Sequence, residues 1–224
     1  MRSLYTRAAL VVLASSTCAH AQFSGPTPYL SAADSPFAPL SFSSFFLEDF
    51  EDENPTTGLG ILHADRIGPS NFTDSVDADD GSIDGSGTRG SSLITDGFFS
   101  DIQLTFDDAA LGAFPTHVGF VWTDVGFVFA GQTGFAALQI EAFDALDNSI
   151  GTFGPFDLGD GASTGATAED RFFGVSHPAG ISRLVISMPD STDWEIDHVQ
   201  YGIIPAPTSA LVLSALAFRR RNRR

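Results

Sequence analysis

Asp101-Ile102-Gln103-Leu104-Thr105-Phe106 alternates polar and apolar residues without a break. Successive side chains of an extended strand point to opposite faces, so Ile102, Leu104 and Phe106 belong on one side and Asp101, Gln103 and Thr105 on the other. The pattern predicts a half-buried strand. The same period recurs downstream, where Leu138, Ile140 and Ala142 alternate with Gln139, Glu141 and Phe143, although Phe143 makes that strand apolar on both sides. Ala145-Leu146-Asp147-Asn148-Ser149 reads as a turn into a further run at 150–153. Runs at 41–50, 59–67, 117–122, 171–176, 181–188 and 195–201 also read as strands, separated by clusters of Gly, Asp, Pro and Ser. No long segment repeats apolar residues every 3.6 positions. Eight or nine strands with no helix between them predict an all-β chain of two antiparallel sheets packed face to face. A jelly roll is the first expectation and an immunoglobulin-like sandwich the second.

The two ends read differently. Residues 1–7 are short and basic through Arg2 and Arg7, 8–14 are apolar, and Ala19-His20-Ala21 has the small-x-small form that a signal peptidase cuts. A secretory signal helix over 1–21, removed before Gln22, is therefore expected. The lone cysteine, Cys18, leaves with it, so the mature chain must hold together without disulfides. Residues 22–40, rich in Pro, are expected to be a flexible lead-in to a domain over 41–202.

At the other end, Pro205-Ala206-Pro207 precedes a short apolar run over 208–218, then Arg219-Arg220-Arg221-Asn222-Arg223-Arg224. The chain has no Lys, and five of its 11 Arg sit in that terminus, where they would hold the end on the cytoplasmic side of a bilayer. This tail over 203–224 resembles the PEP-CTERM sorting signal, in which a Pro-Glu-Pro leads an apolar helix that ends in arginines; here the middle residue is Ala206. The resemblance implies that Pro205, Pro207, Arg219, Arg220 and Arg221 carry sorting. It implies an exosortase-type membrane protease as partner during export, alongside signal peptidase. It also implies transient membrane association through the tail, and a cell-surface or extracellular-matrix destination.

Charge narrows the partners. All 28 acids fall between Asp34 and Asp197, and against the four arginines of that region they leave a net charge of −24 on the mature segment. So one-sided a balance excludes nucleic acid and an anionic membrane surface as partners. It suits divalent cations, and equally a plain solubilising coat.

Carboxylates concentrate at 74–84, where Asp74, Asp77, Asp79, Asp80 and Asp84 are punctuated by Gly81. Calcium takes six to eight hard oxygens, and alternating Asp on a curled loop can supply them. Asp77-x-Asp79-x-Gly81 resembles a calcium loop without matching an EF-hand; a solvated acidic loop is the other reading. Asp77, Asp79, Asp80 and Asp84 are the candidate calcium ligands here. A second pairing sets Phe50-Glu51 near the first strand against Ile196-Asp197-His198-Val199 in the last. It resembles jelly-roll carbohydrate-binding modules, and the resemblance implies Glu51 and Asp197 as ligands of a structural calcium; the other reading makes both exposed partners of loop N–H groups.

The strings at 74–81, 120–124, 141–144, 168–174 and 196–202 resemble a recurrent ectodomain of exported PEP-CTERM proteins, which implies fold and export but no chemistry. No Gly-x-Ser-x-Gly elbow, His-Glu-x-x-His helix or phosphate-cradling loop occurs. His63, His117, His177 and His198 are isolated and read as strand-surface or loop residues. Trp194 and Tyr201 would stack on sugar rings if exposed, and would sit in the core otherwise. The sequence thus supports a non-catalytic surface or matrix protein first, and a carbohydrate-binding module for exopolysaccharide with structural calcium second. A small glycoside hydrolase using two carboxylates comes third.

Overall fold

The structure is a computed structural model that describes residues 20–52, 54–69, 73–76, 90–95, 98–128, 137–157, 170–189 and 191–205. The expected signal helix and the apolar tail helix lie outside the described residues, as do Ala19, Pro207, Arg219, Arg220 and Arg221.

Two antiparallel sheets pack face to face, as the alternating runs predict. Sheet A has seven strands in the order β1 (Gln22–Pro28), β10 (Arg171–Ser176), β7 (His117–Val128), β12 (Ser191–Ile203), β5 (Ser92–Thr95) and β4 (Ala64–Ile67), with β2 (Ser44–Glu48) also paired to β12. Sheet B has five, β3 (Leu59–Leu62), β6 (Asp101–Phe106), β11 (Arg183–Ser187), β8 (Leu138–Phe143) and β9 (Ser149–Phe156). Among the described residues the α-helix content is one turn, α1 (Asp108–Leu111), capped by the Asp107 carboxylate, which accepts from Ala109 N at 2.9 Å.

The main core lies between the sheets. Ile102, Leu104 and Phe106 of β6, Leu184 and Ile186 of β11, and Leu138 and Ile140 of β8 meet Phe120 and Trp122 of β7, Phe173 of β10, and Trp194, Ile196, Val199 and Tyr201 of β12. Along β12 the apolar positions shift from even to odd numbers. A register shift between Asp197 and Gln200 inserts one extra residue, and His198 takes φ 44° there, so Val199 and Tyr201 still face inward.

The two sheets differ on their outer faces. Sheet A is covered by chain segments. Tyr29, Phe37 and Val76 form a second small core with Val121 of β7 and Phe172 of β10. That is why Phe120-Val121-Trp122 and Phe172-Phe173 are apolar without alternation: these strands are buried on both sides. In sheet B, β6, β8 and β11 keep strict alternation, with Gln103, Gln139 and Val185 on the solvent side.

Two expectations need correction. Residues 22–40 are not wholly a flexible lead-in, because Gln22–Pro28 is an edge strand paired with β10. Pro26 falls in the register irregularity between Ser24 and Thr27, the kind of edge position where a missing N–H costs no ladder bond. The run at 59–67 is two strands in different sheets, broken at His63, whose φ of 65° carries the chain from sheet B to sheet A.

Candidate functional site

The densest polar arrangement stands where residues 73–76 cross the outer face of sheet A and residues 90–92 return to it. The Asp-rich stretch runs between them in sequence, and Asp77, Asp79, Asp80 and Asp84 themselves lie outside the described residues. Alternation along β12 turns Glu195 and Asp197 away from the main core, and both are nevertheless buried because the crossing segment lies over them.

Glu195 Oε2 accepts from Asp74 N at 3.0 Å and from the Ser92 hydroxyl, so one carboxylate holds both sides of the crossing. Asp197 Oδ2 accepts from Ser75 Oγ at 3.1 Å and Val76 N at 2.9 Å, while its Oδ1 accepts from His198 N at 2.6 Å. Glu51 Oε1 accepts from Ser91 N. Arg66 completes the arrangement, donating through Nη2 to Ser91 Oγ at 2.9 Å and to the Glu51 carbonyl at 3.3 Å, and through Nε to the Phe50 carbonyl.

Close backbone approach fixes this neck. A Cβ on Gly90 would come 2.1 Å from Ser75 Oγ and 2.5 Å from Ser75 Cβ. Gly68, at φ +103°, presses on the Gly90 carbonyl, where a Cβ would come 2.4 Å from the oxygen.

The structure therefore brings Glu51 and Asp197 to the same neck, one on each side of the Gly90–Ser75 contact. Both serve N–H groups there. Glu51 is exposed, whereas Asp197 is fully buried rather than on the surface. Among the described residues no group of three or more His, Cys, Asp and Glu is arranged to hold a metal ion. The described carboxylates thus fall short of the six to eight oxygens calcium takes.

A buried chain of side chains continues along the same face. Gln200 Nε2 donates to Tyr29 Oη at 2.9 Å, Tyr29 Oη pairs with His198 Nδ1 at 2.9 Å, and Ser35 Oγ donates to Gln200 Oε1. His198 is buried on β12 rather than on a strand surface, and His177, in the loop after β10 as read, is buried as well.

The sugar-stacking expectation for Trp194 and Tyr201 is overturned by burial. Both are 0% exposed, and Tyr201 lies against Phe46 and Phe106 at ring separations of 5.2 Å. Aromatics on the inward positions of a sandwich fill its core. Ala21, on the expected cleavage side of Gln22, is partly buried against the main core, and Pro205 is exposed.

Sequence reasoning missed Glu195, Ser75, Gly90 and Ser92. Period-two reading gives Glu195 an outward side and nothing more; that a distant segment covers it is a long-range fact. Comparison with protein-family models, with curated proteins and with solved structures gives no match.

Proposed function

We propose that this chain is a non-catalytic, exported surface or matrix protein, delivered by a signal peptide and sorted by an exosortase-type protease acting on its tail. The observation that supports this reading best is where the strands of the described residues begin and end. The first strand begins at Gln22, the residue after the expected cleavage, and the last ends at Ile203, just before the Pro-Ala-Pro triplet. Gln22 pairs with Ser176, Ser176 with His117, and His117 with Gly202, so one row across sheet A contains both ends. Three strand spacings separate them, about 14 Å. A domain tethered through a signal peptide and a tail to one membrane would need its ends on one side, and this row provides that.

The non-catalytic part rests on how the acids are used. Glu195 and Asp197 are buried and spend their oxygens on backbone and hydroxyl donors, so neither stands ready to move a proton on a substrate. The jelly-roll form of the sandwich belongs to the same reading. Its support is that consecutive strands cross between sheets, β5 to β6 to β7 to β8 and again β9 to β10 to β11 to β12. Structural calcium at the neck also belongs to it. Through N–H and hydroxyl donors, Glu51, Glu195 and Asp197 grip the segments that bracket the Asp-rich stretch, and that stretch would supply the oxygens.

Expression in a bacterium that has an exosortase system tests the delivery. The expected product is extracellular, begins at Gln22 by mass and lacks the arginine cluster. Full-length chain in the cytosol with both ends uncut would sink the reading. For calcium, a melt in excess chelator should fall several degrees below the melt in calcium, since a ligand of the folded state alone stabilises it by mass action. Equal melts would remove the ion.

A further inference from the structure

We propose that, after the signal is cut away, Gln22 closes on itself to pyroglutamate and leaves the mature chain with no primary amine. This rests on cleavage before Gln22, as in the reading above, and adds a modification site to it.

The starting point is composition. The chain contains no Lys, so the α-amino group that cleavage creates at Gln22 is the sole primary amine of the mature protein. That amine and the side-chain amide of Gln22 belong to one residue. The amine nitrogen, Cα, Cβ, Cγ and Cδ make a five-membered ring, reached by turning χ1 and χ2 alone. The amine lone pair attacks Cδ and the N–Cδ bond forms. The Cδ–Nε2 bond breaks, and ammonia leaves with one proton taken from the attacking nitrogen. Nothing is oxidised or reduced, and no further reactant enters.

The fold leaves this residue free to close. Gln22 is exposed and is the first residue of β1, an edge strand whose one neighbour in the sheet is β10. Among the described residues its side-chain amide takes no hydrogen bond, so turning it breaks no interaction. Beside it lies an open cavity of about 250 Å³, whose wall Gln22 shares with Leu40, His117 and Ser176, so the side chain has room to fold back. The ladder survives closure. Gln22 is paired with Ser176, and the lactam nitrogen keeps one hydrogen, so a donor remains at the start of β1.

The surroundings favour the closed form. Ala21, which cutting removes, packs against the main core. A Cβ built on Gly151 would lie 2.9 Å from Phe23 Cε2 and 3.8 Å from Ala21 Cβ, so aliphatic and aromatic groups crowd this end of β1. An ammonium left at Gln22 would stand at this apolar margin, where a charge loses part of its hydration. The ring replaces it with a neutral lactam. A closed end also offers no α-amine to an aminopeptidase, which suits an exported chain with no disulfide to brace it.

The test is export of the full chain from a bacterium that has an exosortase system. Mass spectrometry reads the N-terminal peptide, and an amine-reactive dye is applied to the denatured product. An isotope-labelled synthetic peptide beginning with Gln22, added at harvest, measures closure during handling, which is subtracted. The expected N-terminal peptide begins at Gln22 and is lighter than its open form by one ammonia, about 17 Da. The product should take no dye until pyroglutamyl aminopeptidase removes residue 22 and frees the amine of Phe23. Gln22→Asn should keep its amine and take the dye, since closure there would need a four-membered ring. A product that begins at Gln22 with its amine open and dye-reactive overturns the proposal and leaves the export reading standing. A Gln22→Asn product as blocked as the parent overturns it too, because something other than ring closure then masks the end. An uncut chain, or one that begins at another residue, overturns both readings.

Discussion

Glu195 Oε2 lies 3.0 Å from the amide nitrogen of Asp74, joining the last strand of the sandwich to a segment more than a hundred residues earlier in the chain. The same oxygen takes the Ser92 hydroxyl, so a single carboxylate bridges both sides of the neck. Removing it would strand two buried donors. Leaving a buried polar group unsatisfied costs about 1–3 kcal/mol, more when the lost partner was charged. Glu195→Ala is expected to lower unfolding stability by roughly 3 kcal/mol, and Glu195→Gln by about half of that because one acceptor oxygen remains. Urea unfolding with unchanged slope would read the difference. An alanine variant within about 0.5 kcal/mol of the parent, the ordinary range for a surface change, would show that the neck is not held this way.

Gly90 and Ser75 make a sharper test because their contact is steric. Gly90 has no positive φ, so a methyl group there faces a space problem and not a backbone one. Gly90→Ala sets Cβ against Ser75 Oγ and Cβ, and overpacking of this kind costs about 1–3 kcal/mol. Truncating the neighbour should restore room. Ser75→Gly alone loses the hydroxyl bond to Asp197 and is destabilising, yet in the double variant the two losses should add to less than their sum. A coupling of about 1 kcal/mol or more is expected from the cycle. Strict additivity would mean that the two segments do not touch.

Both tryptophans of the chain belong to the core, Trp122 on β7 and Trp194 on β12. Fluorescence from the folded protein should be blue-shifted and resistant to iodide quenching, and no added polysaccharide should protect it further. Emission at the position of free tryptophan, freely quenched, would return Trp194 to the surface and reopen it as a sugar platform.

How much of this was legible in advance depended on range. The edges of β6 follow from residues 101–106 themselves, since a period of two is set by near neighbours. Even the bulge at His198 leaves a trace: apolar residues at 194, 196, 199 and 201 skip a step. The break at His63 left none that composition reveals, because Leu59 to Ile67 is apolar enough to pass as one strand. Glu51 and Asp197 both reach the neck, but the burial of Asp197 was not foreseeable. Whether a strand's outward face meets water or a covering segment is decided by residues far away, here 29–42 and 73–76. The same distance effect hid Trp194 in the core and gave the strand at 22–28 its partner.

Tyr201 gives a pH test with a definite sign. Its hydroxyl donates to the Thr57 carbonyl at 2.9 Å, and burial, then the nearby charge of Glu48, raise its pKa above the ordinary 10.0. The unfolded chain releases this proton near 10.0 and the folded chain holds it longer, so the contribution is whole below that pH and drains away as pH rises toward the folded value. The loss should approach about 1.4 kcal/mol per pH unit from this one group. Tyr201→Phe removes the hydrogen bond and should cost about 1 kcal/mol at neutral pH. Above pH 10.0 the variant escapes the drain, so the gap between it and the parent should close and then reverse. Urea midpoints measured at neutral pH and at two alkaline values check this. A gap that stays constant through the alkaline range would show that the Tyr201 phenol ionises as readily in the folded protein as in the unfolded chain.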